Sequence, residues 1–195
     1  VHRGYPLSQM DSRPFLWFTT HYYFTENMMF DDLTHLNENN EAHMVDISEK
    51  LSTPRTAIAS GYINISPKAM DILLNDTSHK GNVLAVARVA AIQGSKQTSS
   101  LIPLCHPIAL THIRVDFEVD TDLSRVKAVV TASTEGQTGV EMEALTGVNV
   151  ALLTIYDMLK AVDKTMSMTH IHLEEKHGGK SGSFIFADAY ENLNL

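Results

Sequence analysis

Acidic and basic side chains recur around one long apolar segment, residues 138–164. Glu141 and Glu143 stand two residues apart near its beginning, and Asp157 and Lys160 stand three apart near its end. Carboxylates and amines serve proteins as general acids and bases, and amines also bind phosphate oxygens. The residue types therefore favour proton-transfer chemistry. On periodicity alone, a solvated helix face with one weak ion pair is the simpler explanation of Asp157 and Lys160.

Two further positions could add to this chemistry. Lys80 precedes a predicted helix start, where backbone N–H groups favour anions. His106 stands between Cys105 and Pro107 in a short apolar segment that two prolines keep out of a helix. The alternatives are a surface loop lysine and a structural histidine. Cys105 is interpreted as a small packed hydrophobe, because no base stands near it in the sequence.

Composition limits the classes of function. The formal net charge of −8 argues against a general nucleic-acid-binding protein. A single cysteine excludes an internal disulfide framework and a cysteine-rich zinc site, and it points to a reducing, cytoplasmic location. No apolar run reaches the ~20 residues that span a bilayer, so no membrane association is expected.

The elements that must position these residues follow from periodicity. An apolar stripe predicts a helix over 148–162, and helices over 67–74 and 83–96 are each preceded by a capping residue, Ser66 or Asn82. Alternating patterns predict strands over 56–65, 112–119, 125–133 and 166–173, the middle two forming an antiparallel hairpin. If the segment 141–143 is extended, Met142 faces away from both glutamates. This mixture predicts an α+β fold with an antiparallel sheet covered on one face by helices.

Several blocks of sequence occur together in one order. They are EAHMVDIS at 41–48, HKG at 79–81, LIPLCHP at 101–107, TGVEMEALT at 138–146 with LTIYDM at 153–158, and GGKSG at 178–182. Together these blocks closely resemble the cyclic pyranopterin monophosphate synthase family of molybdenum cofactor biosynthesis (MoaC). The resemblance covers about 33–186. It divides the chain into an N-terminal extension 1–32, partly disordered or packed on the surface, a synthase domain 33–186 and a C-terminal tail 187–195.

The resemblance implies a ferredoxin-like fold and a specific reaction. The family converts (8S)-3′,8-cyclo-7,8-dihydroguanosine 5′-triphosphate to cyclic pyranopterin monophosphate and diphosphate, with neither a cofactor nor a metal. It assembles as a homohexamer, a trimer of dimers, with sites between subunits. By the family pattern the catalytic residues are Asp157, Lys80 and Lys160, and the substrate-binding residues are Leu104, Cys105, His106, Glu141, Met142, Glu143 and Lys176. The chain departs from the pattern at Asn82, where an acidic residue is expected after HKG.

Two other functions remain open at this point. A nucleotide- or pterin-binding homologue without turnover would bind the substrate and release no diphosphate. A phosphohydrolase acting on nucleoside triphosphates would recruit Glu141 and Glu143 as metal ligands. Sensitivity to chelators would favour the phosphohydrolase over the synthase.

Overall fold

The fold is built on one sheet of five antiparallel strands. The strands are β1 (Thr53–Asn64), β2 (Leu110–Asp120), β3 (Arg125–Gly136), β4 (Ser167–His177) and β5 (Phe184–Ile185). Their order across the sheet is β2-β3-β1-β4-β5. β2 and β3 form the predicted hairpin, and the two-residue β5 extends the sheet beyond β4.

The computed structural model describes His35, Asn39 and residues 41–76, 78–180 and 182–187. These residues belong to one compact unit, residues 35–195. The predicted extension 1–32 lies outside the described residues, as does all but the first residue of the predicted tail 187–195. Both boundaries therefore stay predictions.

The helices are α1 (Pro67–Leu74), α2 (Val83–Lys96), α3 (Thr98–Leu101) and α4 (Glu141–Leu159). α2 packs beside α4, and α4 crosses the inner face of β1 and β3. The chain therefore runs strand, helices, two strands, helix, strand, which is the split βαβ or ferredoxin-like arrangement. The predicted α+β class, with helices on one face of an antiparallel sheet, is confirmed.

The core lies between this helical layer and the sheet. Every second residue of β3 is buried, because alternate side chains of a strand point to the same face. α4 contributes several of the largest fully buried side chains, Val148, Leu152, Ile155 and Leu159. By length and composition alone α4 could cross a membrane, but half of its most apolar stretch is buried inside the protein, as in a core helix.

The helices α1 and α2 begin directly after the capping residues that the sequence predicts. The Ser66 hydroxyl accepts a hydrogen bond from the backbone N–H of Ala69 (3.3 Å), and Asn82 Oδ1 accepts one from Ala85 (2.7 Å). Each side chain satisfies a backbone N–H that has no partner inside the helix. The bounds of α1 and α2 are those predicted from the sequence.

α4 differs from its prediction at both ends. It begins at Glu141, so residues 141–143 form its first turn and are not extended. Val140 provides no side-chain cap, and the helix dipole favours negative charge in this first turn, where Glu141 lies. The helix ends at Leu159, so Val162 lies beyond it and is partly exposed.

A β-bulge in β4 decides where its charged side chains point. Ile58 of β1 pairs with Glu175, but the next residue, Ala59, pairs with Leu173, so Glu174 has no opposite residue. An unpaired residue reverses the alternation of side chains between the two faces. Glu174 therefore lies on the open face of the sheet, hydrogen-bonded to Ser60 at 2.5 Å, whereas Lys176 points towards α4.

Candidate active site

The start of α4 and the loop after α3 enclose a cavity of about 300 Å³. Six of the seven residues predicted to bind substrate line it: Leu104, Cys105, His106, Glu141, Met142 and Glu143. His35, Ile108, Thr138 and Gly139 complete the lining. The structure thus brings together two sequence blocks that are separated by more than thirty residues.

His106 is held by the segment 43–47. Its Nε2 lies 2.8 Å from the carbonyl oxygen of Val45. A carbonyl can only accept a hydrogen bond, so Nε2 carries the proton and donates it to Val45. The other ring nitrogen, Nδ1, is then an acceptor in the neutral imidazole. Burial, and secondly the charge of Glu143, raise the pKa of the adjacent Cys105 thiol, which favours its neutral form.

Glu141 is ion-paired across the fold. Lys176 Nζ donates to Glu141 Oε1 at 3.0 Å, so the seventh predicted substrate-binding residue contacts the cavity lining. The bulge in β4 makes this contact possible, because it turns Lys176 towards α4. A Cβ at Gly139 would collide with the Glu141 carboxylate, so a larger residue here would displace this carboxylate from its present position.

Glu143 lies in a different environment. Its side chain is 3% exposed, and burial is the main cause that raises its pKa to about 7, with the neighbouring Glu141 charge adding to the effect. Its own backbone N–H opposes the rise. Among the described residues, no cationic side chain pairs with it. Burial thus shifts Glu143 towards its neutral form, whereas Glu141 in the same cavity is paired with Lys176.

The three predicted catalytic residues also lie together. Asp157 Oδ1 is 2.7 Å from Lys160 Nζ, and Asp157 Oδ2 is 2.8 Å from Lys80 Nζ. Lys80 Nζ also donates to the backbone carbonyl of Asp157 at 2.8 Å. We call Lys80, Asp157 and Lys160 the lysine–aspartate cluster. Its side chains are about half exposed, at 48%, 54% and 54%.

The electrostatics of the cluster favour the charged forms of Asp157 and Lys160. Hydrogen bonds from Lys160 and then from Lys80 lower the pKa of Asp157 to about 2, and the same interaction raises the pKa of Lys160. A proton shuttle would need the pKa of Lys160 to be lowered. In a single chain the carboxylate of Asp157 raises this pKa instead, which favours the ammonium form of Lys160.

The cavity and the cluster lie at opposite ends of one helix. Glu141 is in the first turn of the 19-residue α4 and Asp157 is in its last. At ~1.5 Å per residue, about 24 Å of helix separates them. The cavity and the lysine–aspartate cluster are therefore separated by nearly the whole length of α4 within one chain.

Arg55 is a residue near the cavity that the sequence pattern did not single out. Its Nε donates to the carbonyl of Gly136 (2.9 Å) and its Nη2 to that of Gln137 (3.3 Å), in the loop that leads to α4. Gly179, with φ +79°, packs on the guanidinium so closely that a Cβ would collide with it. An arginine at the start of a strand gives no sequence signal for such contacts.

Comparison with known proteins assigns the family. A family model described as the MoaC family matches residues 44–179, which include the cluster, Lys176 and all of the cavity lining except His35. The chain belongs to the MoaC family. The predicted family is thereby confirmed.

A curated MoaC relative supports the same assignment. The cyclic pyranopterin monophosphate synthase of Sulfurovum sp. (strain NBC37-1) is 56% identical over 153 residues, which are 78% of this chain and 98% of that protein. A solved structure of a variant of the ferredoxin protease FusC with Arabidopsis ferredoxin matches 59% of this chain and 11% of that chain. Its identity is 14% and its TM-score is 0.28, a value too low to support an argument.

Metal binding has no evident site in the part of the chain that the structure describes. Groups of three or more His, Cys, Asp or Glu side chains able to hold a metal ion are absent from these residues. Of the two carboxylates considered as metal ligands, Glu141 is paired with Lys176 and Glu143 is buried.

Proposed function

We propose that the protein is a cyclic pyranopterin monophosphate synthase of molybdenum cofactor biosynthesis. It converts (8S)-3′,8-cyclo-7,8-dihydroguanosine 5′-triphosphate to cyclic pyranopterin monophosphate and releases diphosphate. The supporting comparison is the synthase of 56% identity, 98% of which this chain covers.

One observation carries the proposal: α4 presents different chemistry at its two ends. The cavity at the first turn holds carboxyl groups and an imidazole that can exchange hydrogen bonds and protons with a purine-derived ring. The cluster at the last turn holds two ammonium groups around one carboxylate. Ring rearrangement requires proton transfer, and release of diphosphate requires positive charge near the leaving oxygens.

We propose that each complete site combines the cavity of one copy with the lysine–aspartate cluster of another. The separation of about 24 Å within one chain supports this arrangement. Exposed apolar residues on the helices, such as Val89 and Leu153, offer a surface that a second copy would cover. Covering the cluster would also remove water from its charges and strengthen their effect on a bound phosphate. A cytoplasmic homohexamer built as a trimer of dimers stays the predicted form.

In the reaction, Lys80 and Lys160 bind phosphate oxygens and neutralise the negative charge that develops on diphosphate as an internal hydroxyl displaces it. Asp157 holds both ammonium groups in place by accepting a hydrogen bond from each. Lys176 pairs with Glu141 and orients its carboxylate in the cavity.

The test is to incubate the purified protein with the cyclised dihydroguanosine triphosphate, without added metal, and to measure diphosphate. Lys160→Ala should abolish turnover and keep most substrate binding, because its charge acts mainly in the transition state. Lys164→Ala removes a neighbouring lysine outside the cluster and should leave turnover unchanged. Binding without diphosphate release by the unmodified protein would instead indicate the non-catalytic homologue.

Mixing two inactive variants tests whether the site is shared. Lys160→Ala removes an ammonium group from the cluster, and Glu141→Ala removes a carboxylate from the cavity, so each variant alone should be inactive. After subunit exchange at equal concentrations, random pairing should restore about a quarter of the sites. If exchange is demonstrated by mass spectrometry and no activity returns, the shared site is wrong.

A further inference from the structure

Glu141 and Glu143 line the same cavity but contact different groups. Glu141 is paired with Lys176 at 3.0 Å. Glu143 is 3% exposed, and among the described residues no cation pairs with it. A cation stabilises the ionised form of a carboxyl group, whereas burial without one stabilises the neutral form. Two acids that share a cavity therefore have different electrostatic surroundings.

We infer that Glu143 is the general acid of the cavity and donates its proton to a nitrogen or oxygen of the bound ring system, while Glu141 stays a carboxylate and accepts hydrogen bonds. This inference rests on the proposed function. In the step, the O–H bond of Glu143 breaks and its electron pair stays on the carboxylate oxygen. A new N–H or O–H bond forms on the substrate. Glu143 later recovers a proton from water or from a substrate N–H.

The groups facing Glu143 are consistent with this role. Glu141 adds negative charge, and the Cys105 thiol beside it favours its neutral form. His106 is fixed by Val45, and His35 and Thr138 complete the polar lining. With the pKa of Glu143 raised to about 7, the acid is largely protonated at pH 6 and can still lose its proton near neutrality. An acid whose pKa lies near the working pH is the most effective proton donor.

The assignment changes what the cavity can recognise. Two carboxylates could only accept hydrogen bonds from substrate N–H groups. A neutral carboxylic acid offers one donor and one acceptor, whereas a carboxylate offers acceptors only. Together the two side chains match a ring edge that carries both an N–H group and a carbonyl oxygen or unprotonated nitrogen. A pterin or guanine edge of the amide type has this pattern.

The kinetic test uses Glu143→Gln, which keeps the size and the hydrogen-bonding capacity of the side chain but cannot release a proton. We expect kcat to fall by about 100-fold or more, KM to stay within about threefold, and the pH dependence of kcat near pH 7 to disappear. Glu118→Gln makes the same change at an exposed site and should leave the whole pH profile unchanged. A Glu143→Gln variant that keeps both its rate and the break near pH 7 would overturn the inference.

A second measurement is independent of turnover. Infrared difference spectra of the free protein, unmodified and Glu143→Gln, should show a protonated carboxyl band that titrates near pH 7 and is absent from the variant. A band that titrates at an ordinary glutamate pKa would overturn the inference. If the unmodified protein releases no diphosphate, the proposed function fails, and the infrared titration alone still decides the protonation state of Glu143.

Discussion

Replacing Glu143 by glutamine should stabilise the fold at pH 8 although it removes a residue of the cavity. Burying a charge destabilises the folded state, and Glu143 is buried at 3% exposure without a cationic partner among the described residues. At pH 8 its carboxyl group is ionised. A glutamine side chain would fill the same space without a charge, so the variant avoids this cost.

The size of the effect follows from the raised pKa. Its rise from 4.5 to about 7 corresponds to about 3 kcal/mol at ~1.36 kcal/mol per pH unit. Water in the cavity screens the charge, so we expect about 2 kcal/mol. The pKa of Glu143 is higher in the folded state than in the unfolded chain, so its protonated form contributes fully to the stability of the fold below pH 4.5. This contribution is lost as the pH rises to about 7.

The assay is urea unfolding of both proteins at pH 5, 6, 7 and 8, at one protein concentration, because association with other copies adds to the apparent stability. The free energy of unfolding of the variant should be only slightly higher than that of the unmodified protein at pH 5. At pH 8 it should be higher by the full ~2 kcal/mol. Glu118→Gln serves as the control for an exposed glutamate. A difference that does not change with pH, or a variant that is less stable at pH 8, would refute the reasoning.

Two predictions concern stability away from the cavity. Asp163 is buried and accepts hydrogen bonds from the backbone of Ser66 (2.7 Å) and from Thr165, which lowers its pKa to about 2. The ionised carboxylate of Asp163 therefore stabilises the fold above pH 3.8, and this stabilisation is lost as the pH falls towards 2. Asp163→Asn should lower the free energy of unfolding by about 2 kcal/mol at pH 7 and by less in acid. Urea unfolding measures both values. Gly94→Ala would place a Cβ 2.7 Å from Val150 Cγ2, between α2 and α4. Gly94→Ala should lower the free energy of unfolding by about 1–3 kcal/mol. Adding Val150→Ala to the same chain should restore part of this loss. A Gly94→Ala variant of unchanged stability would contradict the close packing.

The sequence predicted the elements best where a local signal marks their ends. Ser66 with Pro67 and Asn82 are such signals, and the two helices that follow them have the predicted bounds. α4 has no capping side chain at Val140, so its first turn could not be separated from an extended segment. Its end was also missed, because the apolar stripe continues to Val162 although the helix stops at Leu159.

The composition of the candidate site was predictable only through the family motifs. Periodicity places Asp157 and Lys160 on one helix face, but nothing local brings Lys80 to them from 77 residues away. The pairing of Lys176 with Glu141 depends on a bulge that has no sequence signal in β4. The two glutamates look equivalent in the sequence, and only the packing around α4 distinguishes a paired carboxylate from a buried acid.

The same packing accounts for two acidic residues beside Lys176 that the sequence left unexplained. Glu174 contacts Ser60, His172 and Lys127 on the other face of the sheet. Glu175 pairs with His177 at 3.0 Å. Their negative charges are therefore engaged by other groups, and Glu141 is the carboxylate that pairs with Lys176.

The extra residue in β4 determines which face of the sheet Lys176 points to. Leu173 pairs with Ala59 and Lys176 with Ala57, so two residues of β4 that face the helices are three positions apart instead of two. Loss of any one residue between 173 and 175 would restore the regular alternation and send the lysine to the opposite side of the sheet. In this stretch the number of residues should matter more to evolution than their identity.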